Sequence, residues 1–367
     1  MSRERAFAAE IIESGASALG RFAAERLFEL APETRTQFAD GATETWKSHL
    51  SSRLVELAVA VRLGEPRLFV NRVLWARRAF VSRNVPVDYL ATSLGALEEV
   101  LDRELTAEVS SFAAPYIEAA RETLAREAVG PGMAGSGPGD GSGAAGGLAG
   151  ELAVDEQTLR YLAAVLEGNA RDAVDFLVAL VESGTHPREV ISNVLVPAQR
   201  EIGRMWHSAD SDVAEEHLLT ATTLRALSVL GTLGSVEANN GKTVVIASVQ
   251  GNQHDIAVHA LGIFFEWAGW KSIVLGANVP TVDLVRAVQY FGADLLVLSV
   301  ALGTQLRAAL RAVEAVRSIP EFQLPVLVGG PAFDDGDDLH IRIGADARAS
   351  SLEAAVEQGL QLVTRTD

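Results

Sequence analysis

The sequence predicts a chain of mixed class: an α/β domain with a parallel, Rossmann-like sheet at the carboxyl-terminal end, preceded by two all-α regions. Three observations predict it. From Thr243 onward, β-branched runs of strand length alternate with amphipathic stretches of helical length, the pattern of βα units that build a parallel sheet. Residues 2–128 and 154–236 carry only the three- and four-residue apolar spacing of helices. Between them, residues 130–150 hold ten of the 32 glycines, too little apolar surface to build a core.

These signals divide the chain into a helical domain over 1–128, a Gly-rich linker over 129–153, a helical bundle over 154–238 and an α/β domain over 239–367. In the first region the apolar spacing is plain in Ala18, Phe22 and Leu27 and again in Leu50, Leu54, Leu57 and Val61. Gly64-Glu65-Pro66 and Asn84-Val85-Pro86 punctuate it, each proline placed where a first helical turn tolerates one. Periodic segments at 156–182, 187–205 and 212–233 suit a bundle of about four helices. Asn240-Gly241-Lys242 is a turn into the first strand, Thr243–Val249. Further strands are expected at 271–275, 294–300 and 325–328, with helices near 281–291 and 303–318.

Composition narrows the function. A chain of 367 residues, 48% hydrophobic and 22% charged, buries substantial cores. It has no cysteine, which excludes disulfides, thiolate metal sites and thioether attachment of a chromophore. A net charge of −17, with the acidic excess in the second part of the chain, disfavours DNA and anionic membrane as partners. Neither a membrane-spanning run nor a signal-peptide pattern is visible, so a cytoplasmic protein is expected.

The candidate site lies after the first strand, in Gly251, Asn252, Gln253, His254, Asp255 and Ile256. Ligands of doubly wound sheets bind outside the carboxyl ends of the strands, and an imidazole there serves as acid, base, metal ligand or plain hydrogen-bonded loop residue. Two later features sharpen the reading: one strand ends on Ser299, and another runs into Gly329-Gly330. In this order, histidine loop, strand-end serine and glycine pair resemble the cobalamin-binding domain of B12-dependent proteins. The resemblance implies that His254 is the lower axial ligand of cobalt and that the displaced nucleotide tail enters a channel lined by Ser299, Gly329 and Gly330. Asn252 stands where that family usually has aspartate, and Ala257 where it has glycine. An amide orients an imidazole but carries no proton relay, which argues against turnover chemistry that protonates the base.

Upstream, Met205-Trp206-His207 is followed by Glu216-His217, with nine residues between Trp206 and Glu216. The plain alternative is a tryptophan packing the bundle while the polar groups face water. The spacing resembles the cap of light-sensing B12 photoreceptors of the CarH/LitR type. That resemblance implies adenosylcobalamin, with Trp206 packed on the adenosyl group, Glu216 bonded to it, His217 nearby, and His207 binding cobalt from above after light. It covers residues 154 to about 360, and no winged-helix DNA-binding module is found before it.

In the first domain Trp75, Phe80 and Tyr89 lie among Arg72, Arg77, Arg78 and Arg83. An apolar pocket rimmed by guanidinium forks suits a linear tetrapyrrole with propionates, and an ordinary interaction domain with arginines on its wet face suits the same residues. A helical module joined to a photoreceptor-type B12 domain is similar to the photocobilins, which implies a non-covalent biliverdin. The expected function is therefore a homo-oligomeric light sensor without a catalytic domain, whose assembly changes with light. A corrinoid carrier serving a methyltransferase is the alternative.

Overall fold

The computed structural model describes residues 3–36, 41–82, 84–129, 155–207, 212–320 and 323–364. Five helices form the amino-terminal domain: α1 (Arg3–Leu30), α2 (Ala42–Leu63), α3 (Pro66–Ser82), α4 (Asp88–Glu104) and α5 (Ala107–Val129). The middle of the domain is α2, whose last turns, Leu57 to Leu63, are buried on all sides. Gly64 ends it in the left-handed conformation, with φ 69°, which costs little without a Cβ. Pro66 then starts α3, because a first helical turn needs no N–H from it. Apart from Val129, the residues proposed as a linker lie outside the described ones.

The second helical region holds α6 (Glu156–Leu166), α7 (Ala170–Glu182), α8 (Pro187–Val190), α9 (Val196–His207) and α10 (Val213–Gly231). Between α8 and α9 the chain stays helical as one π-turn, Ile191–Leu195. Pro197 supplies the physical reason. It has no N–H for the carbonyl of Asn193, and that carbonyl instead accepts the Thr158 hydroxyl at 3.2 Å. The expected 187–205 segment is therefore a single bent rod.

The sheet has five parallel strands, β1 (Thr243–Val249), β2 (Lys271–Val279), β3 (Leu295–Ser299), β4 (Val326–Gly329) and β5 (Ala347–Ala349), in the order β2-β1-β3-β4-β5. The helices α11 (Ile256–Trp267), α12 (Thr281–Phe291), α13 (Leu306–Arg317), α14 (Leu339–Arg342) and α15 (Leu352–Thr364) connect or flank them. All seven residues of β1 are buried, the mark of a central strand covered on both faces. The α/β and all-α class expected from the sequence is the observed one. The edge strand β5, three residues long, carries too little pattern to be read in advance.

Three apolar clusters order the molecule. One runs without a break from Leu27, Leu57 and Phe69 of the amino-terminal helices through Leu306 and Phe333 to Val245, Leu296 and Val328 on one face of the sheet. A second joins the bundle to α11 through Phe264 and Trp267. The third lies between the other face of the sheet, α11 and α15. Strand order reverses between β1 and β3, and that switch point is where a doubly wound sheet opens a crevice at its carboxyl edge.

Candidate functional site

At the carboxyl edge the register sets Ser248 of β1 beside Ser299 of β3, and Ser299 beside Gly329 of β4. The loop after β1 is held from every side. Ser248 Oγ donates to the carbonyl of His254 at 2.6 Å, Asn278 Oδ1 accepts from the N–H of Gly251 at 2.7 Å, and the N–H of Asn278 donates to the carbonyl of Asn252 at 2.8 Å. Gln305 bridges two loops: its Oε1 accepts from the N–H groups of Ala301 and Leu302, and its Nε2 donates to the carbonyl of Gly251 at 3.2 Å. Ser248, Asn278 and Gln305 carry no sequence signal of their own. They act on the loop from β1, β2 and the turn Gly303–Gln305, and only the register brings them there.

Asn252 is fully buried and makes the decisive contacts. Its Nδ2 donates to the carbonyl of Ser299 at 3.2 Å, which fixes the orientation of the amide. Its Oδ1 therefore faces His254, accepting from the backbone N–H at 3.1 Å and lying 2.9 Å from Nδ1. Because Oδ1 only accepts, Nδ1 carries the proton and the ligating lone pair is on Nε2. The exposed His254 ring is thus held through Nδ1 at the carboxyl edge of the sheet. Gly251, with φ 85°, and Gln253 are exposed beside it; Asp255 faces His259 at 3.7 Å; Ile256 packs toward the bundle.

The glycine pair has a reason of its own. Gly330 has φ 108°, and a Cβ there would stand 2.4 Å from the carbonyl oxygen of Val300; one on Gly329 would stand 3.0 Å from that of Ala349. The close approach that demands glycine is therefore made by the chain's own backbone. It draws the ends of β3, β4 and β5 together around Ser299, which is buried.

In the bundle, Trp206 and His207 end α9, while their side chains and residues 208–211 lie outside the described residues. The chain resumes at Asp212, whose side chain accepts from the N–H of Glu215 in a reciprocal capping box that starts α10. Glu216 Oε1 accepts from Thr220 Oγ1 at 2.9 Å, and Glu216 Oε2 lies 2.7 Å from Nδ1 of His217. Further along α10, Thr223 joins Tyr161 and the half-buried Gln199 in a polar triad, with Thr223 Oγ1 2.9 Å from the buried phenol and accepting from Gln199 Nε2 at 2.8 Å. Burial pushes the Tyr161 phenol up to about 12, against the pull of Thr223.

The carboxyl edge at the switch point thus brings together a histidine held through Nδ1, a buried serine and a backbone-locked glycine pair. Residues 242–357 match the sequence pattern described as a B12 binding domain, and residues 159–230 match a second B12 binding domain pattern. The chain is a B12-binding protein. Dimethylamine corrinoid protein 1 of Methanosarcina acetivorans is 26% identical to it over 216 residues, covering 57% of this chain and 98% of that protein. The HTH-type transcriptional repressor CarA of Myxococcus xanthus is 31% identical over 166 residues, covering 43% of this chain and 53% of the repressor. For CarH of the same organism the figures are 27% over 146 residues, 40% and 48%. The chain thus spans about half the length of the two repressors. The solved monomethylamine corrinoid protein of Methanosarcina barkeri shares the fold, with a TM-score of 0.50 at 19% identity over 56% of this chain and 98% of that one.

In the amino-terminal domain of this B12-binding protein, the arginines singled out from the sequence are differently employed. Arg72 donates to Glu56 at 2.9 Å and lies 4.7 Å over the ring of Trp75. Arg77 reaches Glu127 at 3.4 Å, Arg78 is exposed, and Arg83 lies outside the described residues. Phe80 packs edge-on against Trp46, with ring centroids 5.9 Å apart, and Tyr89 is half-buried. Arg72, Trp75, Arg77, Arg78 and Phe80 lie on α3, which packs against α9, the helix that ends in Trp206-His207, while Tyr89 lies on α4. No helix among the described residues is long and apolar enough to cross a membrane.

Proposed function

We propose that this B12-binding protein is a light sensor whose chromophore is adenosylcobalamin, with a non-covalent biliverdin as a second chromophore in the amino-terminal helices. When bound, adenosylcobalamin supplies a Co–C bond that green light breaks. The residues supply the rest. His254 would hold the cobalt through Nε2, with Asn252 fixing its tautomer, and Ser299 with Gly329-Gly330 would line the way for the nucleotide tail. Trp206 and His207, at the end of α9, and Glu216 and His217, on α10, would serve the adenosyl side.

The observation that carries the reading is the Asn252–His254 contact. A carboxamide bonded on both sides, to Ser299 and to the imidazole, orients the ring and has no proton to exchange with it. Such a site would keep the same lower ligand before and after light, which suits a sensor better than a cycling enzyme. The similarity to CarA and CarH supports the same side. The packing of α3 on α9 supports a bilin near the corrin, and the absence of cysteine requires that it be held non-covalently. We read the output as a change in assembly of a homo-oligomer, without catalysis and without DNA binding.

A second reading has its own observation: the match to the dimethylamine corrinoid protein covers 98% of that protein. On this reading the chain is a corrinoid carrier for a methyltransferase. Absorption spectra of protein reconstituted with adenosylcobalamin and biliverdin, dark and lit, separate the two. A sensor bleaches irreversibly under green light without any substrate, and its mass by light scattering changes. A spectrum that survives green light, or an unchanged mass after verified photolysis, overturns the photochemical or the assembly part respectively.

A further inference from the structure

Two polar networks cross from the amino-terminal helices to the B12 domain. In the first, Glu10 and Glu13 of α1 face Arg62 of α2, two carboxylates on one guanidinium. Arg307, at the start of α13, completes it: its NH2 lies 2.7 Å from Glu10, and its NH1 contacts Glu13. Burial works to raise the Glu10 carboxyl, and Arg62 and Arg307 together hold it below its ordinary value. In the second, Arg53 and Arg72 share the single carboxylate of Glu56, at 2.5 and 2.9 Å, and Glu56 is only 8% exposed. One residue before Arg72, Asn71 Nδ2 donates to Asp335 Oδ1 at 2.8 Å, and burial raises the Asp335 carboxyl above its ordinary value against the pull of Asn71, Arg72 and Arg67.

The positions of Arg307 and Asp335 matter. Arg307 follows the loop that leaves β3 at Ser299, and Asp335 follows the loop that leaves β4 at Gly329-Gly330. Nearby, Arg342 donates to the carbonyls of Leu63 and Gly64 at 2.7 and 2.9 Å, so the chain after β4 also grips the α2–α3 turn. These contacts of α1, α2 and α3 exist only while both strand-end loops are in the places seen here.

We propose that Arg307 and Asp335 are positioning residues for the nucleotide-tail slot: through the Glu10–Glu13 ion pairs and the Asn71 hydrogen bond, they tie occupancy of the slot to docking of the amino-terminal domain. The proposal rests on the reading that the tail enters between Ser299 and the glycine pair. By linkage, whatever cobalamin gains from docked helices, the docked helices gain from cobalamin.

The test is a dark titration of the full chain with hydroxocobalamin, together with hydrogen exchange of α1–α3 and of residues 301–307 and 330–336, with and without cobalamin. Arg307→Gln and Asp335→Asn are each expected to weaken binding about tenfold, within the usual range of coupling between sites, while the His254-ligated spectral signature persists. Arg307→Lys, which keeps the charge, is expected to restore most of the affinity. In the wild-type chain cobalamin should slow exchange in α1–α3, a measurement that needs no variant to fold. Affinities within twofold of wild type, or wild-type helices whose exchange ignores cobalamin, overturn the inference. Wild-type protein that binds cobalamin with the signature of a slot left empty overturns instead the reading of the site on which the inference rests.

Discussion

The two faces that would enclose a corrin are built on different principles. Below, His254 is exposed, yet its loop is tied to Ser248 of β1, Asn278 of β2 and Gln305, and its ring is bonded to a fully buried amide. Above, Glu216 and His217 hold each other on α10 with side chains 36% and 74% exposed. The lower face is preorganised by the sheet; the upper is a helix end whose partners are its own neighbours. A scaffold of the first kind sets a ligand's position, and a surface of the second kind is free to change partners when the ligand changes.

The largest expected effect tests the preorganised face. His254→Ala should cost at least the roughly 10–100-fold that loss of a mere supporting partner costs a metal site, and should abolish histidine nitrogen coupling in EPR of the cob(II)alamin state. Asn252→Ala should cost about that 10–100-fold itself, with the coupling retained. Equal affinities for Asn252→Ala and wild type would erase the distinction between a preorganised and an adaptable face.

A smaller effect tests the polar triad of Tyr161, Thr223 and Gln199. The Tyr161 phenol is raised from 10.0 to about 12, so the folded state keeps the proton where the unfolded chain has lost it. Stability from this group is fully present below pH 10 and is lost as pH rises toward 12, by about 2–3 kcal/mol if fully realised. Denaturant melts from pH 9 to 12 should show the loss, and Tyr161→Phe should flatten it. Of similar size, Gly330→Ala should cost about 1–3 kcal/mol, because its φ of 108° is strained for alanine and the new Cβ meets Val300. A thermal melt measures it, and an unchanged midpoint would place the β3–β4 ends farther apart than described.

The smallest effect belongs to the exposed face. Glu216→Gln should change the stability of cobalamin-free protein by no more than about 0.5 kcal/mol, as at other exposed pairs. A large loss would mean that the cap is as preorganised as the histidine loop.

How far each region could be read in advance follows from the range of its contacts. Asn252 and His254 are two residues apart, so the pairing of amide and imidazole is visible in the order of the letters. Ser248 and His254 are nearly as close, but Asn278 and Gln305 reach the loop from other elements, and nothing in a neighbouring residue marks them. In the amino-terminal domain, aromatics among arginines fit both a pigment pocket and a wet face. The chain spacing of Arg72 and Arg77 does not reveal that Glu56 and Glu127, on other helices, take their guanidinium groups.

By itself the sequence determined the class of the fold, the strand that ends in the histidine loop, and the chemistry on offer there, because these depend on local periodicity and on residues a few positions apart. Tertiary structure decided the rest: the strand order that puts the switch point at His254, the Gly330 contact made by the chain's own Val300, and the contacts that Arg307 and Asp335 make with another domain. Those depend on which backbone lies beside which across hundreds of residues. Burial, which turns such a neighbour into a requirement, exists only once the chain has closed on itself.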